Sequence, residues 1–189
     1  MKDFKDYLLQ YHKVPDDQME ALLSLFKHKE FQKNEFLAEV GNYCKKLYFL
    51  REGVMRAYYQ NEEGVEYNKI LFQAPCIVAG YSSLITSSPN LINIQSLSSC
   101  VTYECTFQDI LDLYGENRDI ETLNRVIAEG FFVQKERREM SLVMFDAKKR
   151  YELFLERFPG LDQEIPQYHI ASYLGITPTQ LSRIRNQSK

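Results

Sequence analysis

Hydrophobic and polar residues follow three successive patterns along the chain, and each pattern predicts a different kind of structure. Over residues 1–31 apolar side chains recur at three- and four-residue spacing, which predicts helices interrupted near Pro15. From about residue 35 to 107, short β-rich runs alternate with turn signals, and NEEG at residues 61–64 predicts a hairpin turn. Helical spacing then returns. The sequence therefore predicts an α+β protein with an antiparallel barrel or sandwich in its middle part.

A long helix is predicted from about residue 118 to residue 144. It has apolar residues on more than one face, so one face is expected to cover the barrel and another to meet a partner helix. A single core helix in a monomer is the alternative. Val126, Val133 and Met140 lie off the main stripe. The residues predicted for a dimer interface are Ile120, Leu123, Ile127, Gly130, Phe131 and Gln134.

Gly130 lies inside this predicted helix, where glycine costs about 1 kcal/mol relative to alanine. Two interpretations remain open. Gly130 is either a close-contact or flexing point of a dimer, or it makes room for Phe131 and a neighbouring side chain.

The last twenty residues predict two short helices joined by a sharp turn. Gly175 is placed to end the first helix, and Thr177, Pro178 and Gln180 form the capping pattern that begins the second. The exposed face of the second helix carries no acid, so its polar groups can meet base edges and phosphates. An ordinary α-hairpin with a solvated face is the alternative. The residues predicted to contact DNA are Thr177, Thr179, Gln180, Ser182, Arg183 and Asn186, with Lys148 and Lys149 as weaker phosphate-contacting candidates.

Charge is distributed unevenly along the 189 residues. The net charge is −3, yet residues 140–189 carry seven Lys or Arg against five Asp or Glu. This asymmetry fits an anion-binding C-terminal part behind an acidic front. No apolar run approaches the ~18 residues of a membrane span, and the N-terminal residues lack a signal-like stretch, so a cytoplasmic protein without membrane contact is expected.

The histidines and cysteines argue against catalysis and against a bound metal. The predicted barrel contains no histidine, so neither a metal-dependent site nor a Ser-His-Asp or Cys-His site can be assembled there. His12, His28 and His169 are scattered and are interpreted as surface or structural residues. The cysteines, which are expected to be free and buried with a redox or cluster role as the alternative, are Cys44, Cys76, Cys100 and Cys105. No enzyme activity and no cofactor are predicted.

Nearly the whole chain resembles the Crp/Fnr family of bacterial transcription regulators. KLYFLREGVMRAYY resembles the β-roll signature of the family, and ERREMSLVMFDAKKRYELFLERFPGLDQEIPQYHIASYLGITPTQLSRIR resembles its dimer-helix end, connector and helix-turn-helix. The resemblance implies N-terminal helices with an antiparallel, cyclic-nucleotide-binding-like β-roll (a double-stranded β-helix) over residues 1–117. It implies a dimerisation helix over 118–144 and a helix-turn-helix domain over 145–189.

The same resemblance implies partners and residue roles. Members of the family bind inverted-repeat double-stranded DNA as homodimers, and RNA polymerase is an expected further partner. Arg183 matches the DNA-contacting arginine of the recognition helix, Thr177 a phosphate-contacting hydroxyl, and Gln180 another contact position.

Three departures from the family pattern limit what can be transferred. Where cyclic-nucleotide members have Gly-Glu and a later Arg-Ser, this chain has Gly80 followed by Tyr81, and no arginine lies between Arg56 and Arg118. Cyclic AMP is therefore not expected at the usual place, because no guanidinium would hold its phosphate. No cysteine precedes Cys44, which argues against an iron–sulfur cluster. The chain also ends soon after the recognition helix, which implies a truncated wing.

The expected effector is an unidentified small molecule, or none. Candidate pocket residues, which are also ordinary core candidates, are Gly80, Tyr81, Ser82, Leu84 and Asn93. Two other functions remain open beside a DNA-binding regulator. One is a ligand-binding β-roll module whose C-terminal helices contact proteins, and the other is a cyclic-AMP-responsive regulator with an atypical pocket.

Overall fold

A computed structural model describes residues 1–187, in which two helices precede a β-roll, a long helix follows it, and a group of short helices ends the chain. The strands are β1 Lys27–Phe31, β2 Phe36–Ala38, β3 Lys46–Glu52, β4 Val54–Gln60, β5 Glu66–Gln73, β6 Cys76–Val78, β7 Asn93–Ser96 and β8 Cys100–Thr106. The helices are α1 Lys2–Leu9, α2 Asp16–Ser24, α3 Tyr81–Thr86, α4 Phe107–Asp112, α5 Arg118–Met144, α6 Ala147–Arg157, α7 Leu161–Glu164, α8 Gln167–Leu174 and α9 Pro178–Gln187.

The eight strands form two antiparallel sheets that face each other. One sheet has the order β1-β8-β3-β6 and the other β2-β7-β4-β5. β4 and β5 form the predicted hairpin, whose turn is held by Asn61: its side-chain oxygen accepts hydrogen bonds from the N–H groups of Glu63 and Val65. The predicted α+β class with an antiparallel roll is confirmed. None of the helices in residues 1–187 has the length and apolar character needed to cross a membrane.

The prediction of helices over residues 1–31, interrupted near Pro15, is wrong at its end. Residues 27–31 form β1, which pairs with β8 at the edge of the first sheet. KHKEF has only one buried residue, Phe31, so its hydrophobic pattern gives no strand signal. The strand is specified by its partner, because β8 offers a sheet edge with which all five residues of β1 pair.

Helices cover the outer face of the first sheet. Phe4 of α1 stacks on Phe49 of β3 with 4.2 Å between the ring centroids, and both side chains are fully buried. The first third of α5 packs into the same cluster through Ile120, Leu123 and Ile127. These contacts fix the start of the long helix against the roll.

The C-terminal helices cover the outer face of the second sheet. Val54, Leu71 and Leu97 of the roll belong to one buried cluster with residues of α6 to α9, including Phe154 and Leu174. A separate apolar cluster fills the space between the two sheets. The roll is therefore covered by helices on both outer faces, which explains the nearly continuous apolar runs KLYFL and VMRAYY.

The Phe4–Phe49 stack gives the first prediction. Replacing Phe49 by Ala leaves a cavity between α1 and β3, so the free energy of unfolding should fall by about 3–5 kcal/mol in chemical denaturation. The matched control is Tyr59→Ala, because Tyr59 is 52% exposed, and its effect should stay within about 0.5 kcal/mol. Equal losses in the two variants would contradict this account of the core.

Candidate nucleic-acid interface and effector region

α8 and α9 form a helix-turn-helix whose turn follows local backbone rules. Gly175 ends α8 with φ +68° and ψ 38°, a left-handed conformation that glycine adopts without strain. At the start of α9, Gln180 N–H donates to Thr177 Oγ1 at 3.2 Å, and Thr177 N–H donates to Gln180 Oε1 at 3.0 Å. This reciprocal pair is the predicted capping box, and it fixes the angle at which α9 leaves the turn.

α9 has one buried face and one exposed polar face. Leu181 is fully buried against α8 and α6, and Ile184 is partly buried beside it. The opposite face carries four of the residues predicted to contact DNA, and all of them are exposed: Thr179, Ser182, Arg183 and Asn186. Thr177 and Gln180 are exposed too, although part of their hydrogen-bonding capacity serves the capping box.

The two arginines of α9 have different environments. Arg185 Nη2 lies 3.5 Å from Asp162 Oδ2, so this arginine ties α9 to α7. Arg183 makes no ion pair with any residue that the structure describes, and its guanidinium lies on the exposed face. Arg183 is therefore free to pair with an external anion, whereas Arg185 has an internal structural contact.

Lys148 and Lys149 lie in the first turn of α6, on the surface. Asp146 caps this helix by accepting a hydrogen bond from Lys149 N–H at 2.8 Å, and Lys149 Nζ lies 3.3 Å from Glu152. An acid on the same helix thus partly neutralises Lys149. Lys148 makes no ion pair with the described residues, which leaves it the better of the two phosphate candidates.

Two arginines attach the helix-turn-helix to the preceding helices. Arg138 of α5 lies over the ring of Tyr173 and donates to the Tyr173 carbonyl, and Arg150 of α6 donates to the Leu174 carbonyl at 3.0 Å. Cations at these carbonyls interact favourably with the negative end of α8. Burial lowers the pKa of Arg138, yet the guanidinium stays protonated because its pKa starts so high.

Sequence analysis missed the docking of α8 on the β-roll. Asn68 N–H of β5 donates to Ser172 Oγ at 2.9 Å, and Ser172 Oγ donates to the Glu66 carbonyl at 3.1 Å. A signal was present in VMRAYY, where Arg56 stands in a run that is apolar on both sides. An arginine in a strand covered on both faces needs buried polar partners.

The predicted effector residues do not converge on one cavity. Gly80 begins α3, and a Cβ at this position would overlap Cys44 Sγ, so glycine permits close packing there. Ser82 is exposed on α3, and Leu84 packs against the core. Asn93 lies on β7, where its side-chain oxygen accepts a hydrogen bond from Val40 N–H.

Two open clefts lie near these residues. A cleft of about 460 Å³ lies between α3, α4 and α5 and is lined by Tyr81, Ile85, Tyr114 and Arg125, among others. A cleft of about 250 Å³ lies beside β2 and is lined by residues 36–48, including Tyr43 and Lys45. Of the predicted pocket residues, only Tyr81 borders either cleft.

Half of the residues predicted for a dimer interface lie inside the protomer. Ile120, Leu123 and Ile127 are 0–6% exposed and pack against α1, α2 and the roll. This stripe packs on the apolar outer face of the first sheet of the same protomer, so it is not available to a partner helix. Phe131 is partly exposed, and Gln134 accepts a hydrogen bond from Arg157 of α6. A Cβ on Gly130 would meet open space.

The second half of α5 instead exposes an apolar stripe on the side away from the roll. Helical spacing of 100° per residue places its members within about a third of a turn, a sector in which Glu136 is the one charged residue between Phe132 and Met144. They are Phe132, Val133, Met140, Val143 and Met144, and all are more than 40% exposed. Val133 and Met140 are seven residues apart and lie off the inward stripe, as the sequence pattern predicts.

The cysteine thiols are free. Burial raises the pKa of both Cys76 and Cys105 to about 12, so these thiols are protonated at neutral pH. A protonated thiol is a poor metal ligand and a poor nucleophile. In residues 1–187, no group of three His, Cys, Asp or Glu side chains is arranged to hold a metal ion.

Comparisons with known proteins agree with this arrangement. Residues 28–117 match the sequence profile of the Cyclic nucleotide-binding domain. FixK2 of Bradyrhizobium japonicum superposes with a TM-score of 0.72 at 15% identity, over 86% of this chain and 83% of FixK2. The c-di-GMP responsive global regulator CLP of Xanthomonas campestris superposes with a TM-score of 0.70 at 13% identity, over 92% and 91% of the two chains. A Eubacterium rectale structure described as a Crp/Fnr-family transcriptional regulator gives 0.69 at 13%, over 92% and 83%.

The chain has the Crp/Fnr regulator fold. The resemblance inferred from sequence is thereby confirmed for the roll, the long helix and the C-terminal helices. No curated protein matches the sequence significantly. The wing that the Crp/Fnr resemblance predicts to be truncated falls at residues 188–189, outside the described residues.

The capping box gives the second prediction. Thr177→Ala removes the acceptor of Gln180 N–H, so the free energy of unfolding should fall by about 1 kcal/mol. Thr179→Ala is the matched control, since Thr179 makes no side-chain hydrogen bond with the described residues. Thermal or urea unfolding measures both. A Thr177→Ser variant should recover most of the loss, and its failure to do so would contradict the capping role.

Proposed function

We propose that this protein is a DNA-binding transcription regulator that acts in the cytoplasm as a homodimer. One observation carries the proposal: α9 presents an exposed polar face without a carboxylate, and Arg183 lies on it with no ion pair to any of residues 1–187. Hydroxyl, amide and guanidinium groups on a helix that follows a sharp turn suit insertion into a major groove. The Crp/Fnr fold supports this reading, because the neighbours FixK2 and CLP share it and CLP is described as a global regulator.

The α9 residues have distinct expected roles. Arg183 would read a base edge, with Thr179, Ser182 and Asn186 beside it, and Thr177 at the start of α9 would contact a phosphate. Gln180 would use its amide N–H groups, because its oxygen serves the capping box. Lys148 would contact phosphate at the edge of the interface.

A second copy of this chain is the expected occupant of the exposed apolar stripe on α5. Single exposed apolar residues are common, but five within a third of a turn form a seam that a monomer would leave in water. Two such helices packed side by side would bury Val133, Met140 and Val143 of each copy. An inverted-repeat site would require this pairing to set the two α9 helices on one side of the dimer.

The proposed effector of the roll is not cyclic AMP held in the usual way. No arginine stands between Arg56 and Arg118, and Arg56 is taken up by Glu66 and Gln95 on the outer face of the roll. An anionic phosphate inside the roll would lack a guanidinium partner. The cleft beside Tyr81 and Tyr114 is the proposed place for an uncharged molecule, and its two charged lining residues, Glu121 and Arg125, have opposite signs. RNA polymerase is a further expected partner.

Selection from a pool of random duplex DNA tests the function directly. The expected result is a steep fall of affinity with salt, together with an enriched inverted repeat whose half-sites lie about one helical turn apart. Weak binding that does not depend on salt, with no enriched sequence, would exclude DNA binding by the protein without effector. The C-terminal helices would then be candidates for protein contacts.

Arg183 gives the third prediction. Arg183→Ala should weaken binding to the selected site by about 1–3 kcal/mol and relax selection at one base position. Arg51→Ala is the matched control. Arg51 is exposed on β3 beside Asp3, so its substitution removes the same charge far from α9. Fluorescence anisotropy titrations at fixed salt measure both. Equal losses in the two variants would mean that Arg183 contributes only net charge.

Val143 gives the fourth prediction. Val143 is the most exposed apolar residue of α5, at 87%, so Val143→Glu should bring two like charges together at the seam and convert the dimer to a monomer. Val40→Glu makes the same change at an exposed loop residue of the roll and should leave the assembly intact. Sedimentation velocity measures the outcome. A wild-type protein that sediments as a monomer would contradict the homodimer, and a Val143→Glu protein that remains dimeric would place the seam elsewhere.

A further inference from the structure

A cluster of buried polar side chains lies where α8 docks on the β-roll. Arg56 of β4, Asn68 of β5 and His169 of α8 are each about 5% exposed or less. Arg56 Nη1 and Asn68 Nδ2 both lie 3.3 Å from His169 Nδ1. This cluster joins the roll to the helix-turn-helix through side chains 113 and 101 residues apart in sequence.

The partners of His169 determine where its proton must be. The guanidinium of Arg56 can only donate hydrogen bonds. The amide of Asn68 is oriented by two other contacts, because its Nδ2 donates to the His169 carbonyl at 3.0 Å and its oxygen lies 3.5 Å from Arg56 Nη1. Two donors therefore face His169 Nδ1, which must accept. The docked arrangement requires a neutral imidazole with its proton on Nε2.

An imidazolium cannot occupy this position without loss. Its Nδ1 carries a hydrogen, which would face an amide N–H and a guanidinium N–H, and its positive charge would be buried beside that of Arg56. Once α8 separates from β5, by contrast, the same imidazolium is solvated by water. Protonation thus favours the separated arrangement.

We propose that His169, Arg56 and Asn68 form a proton-operated latch that holds the helix-turn-helix unit on the β-roll while His169 is neutral and releases it when His169 is protonated. The proposal concerns the contact between the two parts of the chain. It does not depend on whether α9 binds DNA.

The surroundings of His169 in the docked arrangement favour its neutral form. Burial, followed by Arg56 on β4 and Lys33 in the β1–β2 turn, lowers the pKa of His169 to about 4, against the opposing effect of Glu66 on β5. A separated His169 has an ordinary pKa of about 6.5. Docking is therefore fully favoured above pH ~6.5 and weakens tenfold per pH unit as the pH falls towards ~4.

Two measurements on the wild-type full-length protein test the latch. Nitrogen and carbon chemical shifts of the His169 ring report its tautomer, and we expect a neutral ring with the proton on Nε2 at pH 7.5. Amide hydrogen exchange of Asn68 reports docking, because this N–H donates to Ser172 Oγ across the interface. After correction for the intrinsic pH dependence of exchange, its protection factor should fall about tenfold between pH 7.5 and 5.5. The protection factors of amides in the β3–β8 pair should not change between these pH values.

Matched variants separate the latch from other titrating groups. Asn places an amide oxygen near the position of Nδ1 and does not titrate, so His169→Asn should hold the Asn68 protection constant between the two pH values. His28→Asn removes an exposed histidine beside Glu30 and should leave the tenfold fall unchanged.

Three results would overturn the proposal. They are a His169 ring protonated on Nδ1 at pH 7.5, a wild-type Asn68 protection factor that does not change with pH, and a fall that persists in His169→Asn. All three are read without DNA, so a failure of the latch is distinguishable from a failure of DNA binding.

Discussion

The rest of the structure depends on one constraint: both outer faces of the β-roll are apolar and must be covered. α1, α2 and the start of α5 cover the first sheet through Phe4 and Leu123, and the C-terminal helices cover the second through contacts with Val54, Leu71 and Leu97. Burial of apolar surface is the dominant favourable term in folding. The two covers therefore position the helix-turn-helix against the roll, with α5 as the connection between them.

Local rules explain what could be predicted from the sequence. The bounds of α5, the left-handed exit at Gly175 and the Thr177–Gln180 cap depend on residues within a few positions of one another. The polar face of α9 follows from its spacing alone. Contacts between distant segments explain what could not be predicted. β1 becomes a strand only because β8 offers it an edge. Ile120 of α5 points towards the roll because the outer face of the first sheet is apolar and needs a cover.

Part of the missed information was nonetheless present in the sequence. VMRAYY has no polar alternation, so it predicts a strand buried on both faces, and such a strand needs a second cover. Arg56 inside that run requires polar partners. Glu66 and Gln95 satisfy most of its donors, and His169 supplies a further contact from α8. A buried cation in an apolar run is thus a sequence signal for a polar contact between distant parts of a chain.

The polar cluster and the apolar cover contribute differently to the docked arrangement. The contacts of Val54 and Leu71 are non-directional and favour any position of the C-terminal helices that hides them. Arg56 and Asn68 favour one position, because their donors need an acceptor at a fixed distance. Apolar burial therefore supplies most of the affinity between the two parts, and the polar groups select the register. In the proposed regulator, an effector of the roll would move α9 by changing one of these two contributions or the direction of α5. Arg138 joins the long helix to the end of α8, so a rotation of α5 in such a regulator would act on the helix-turn-helix through this contact.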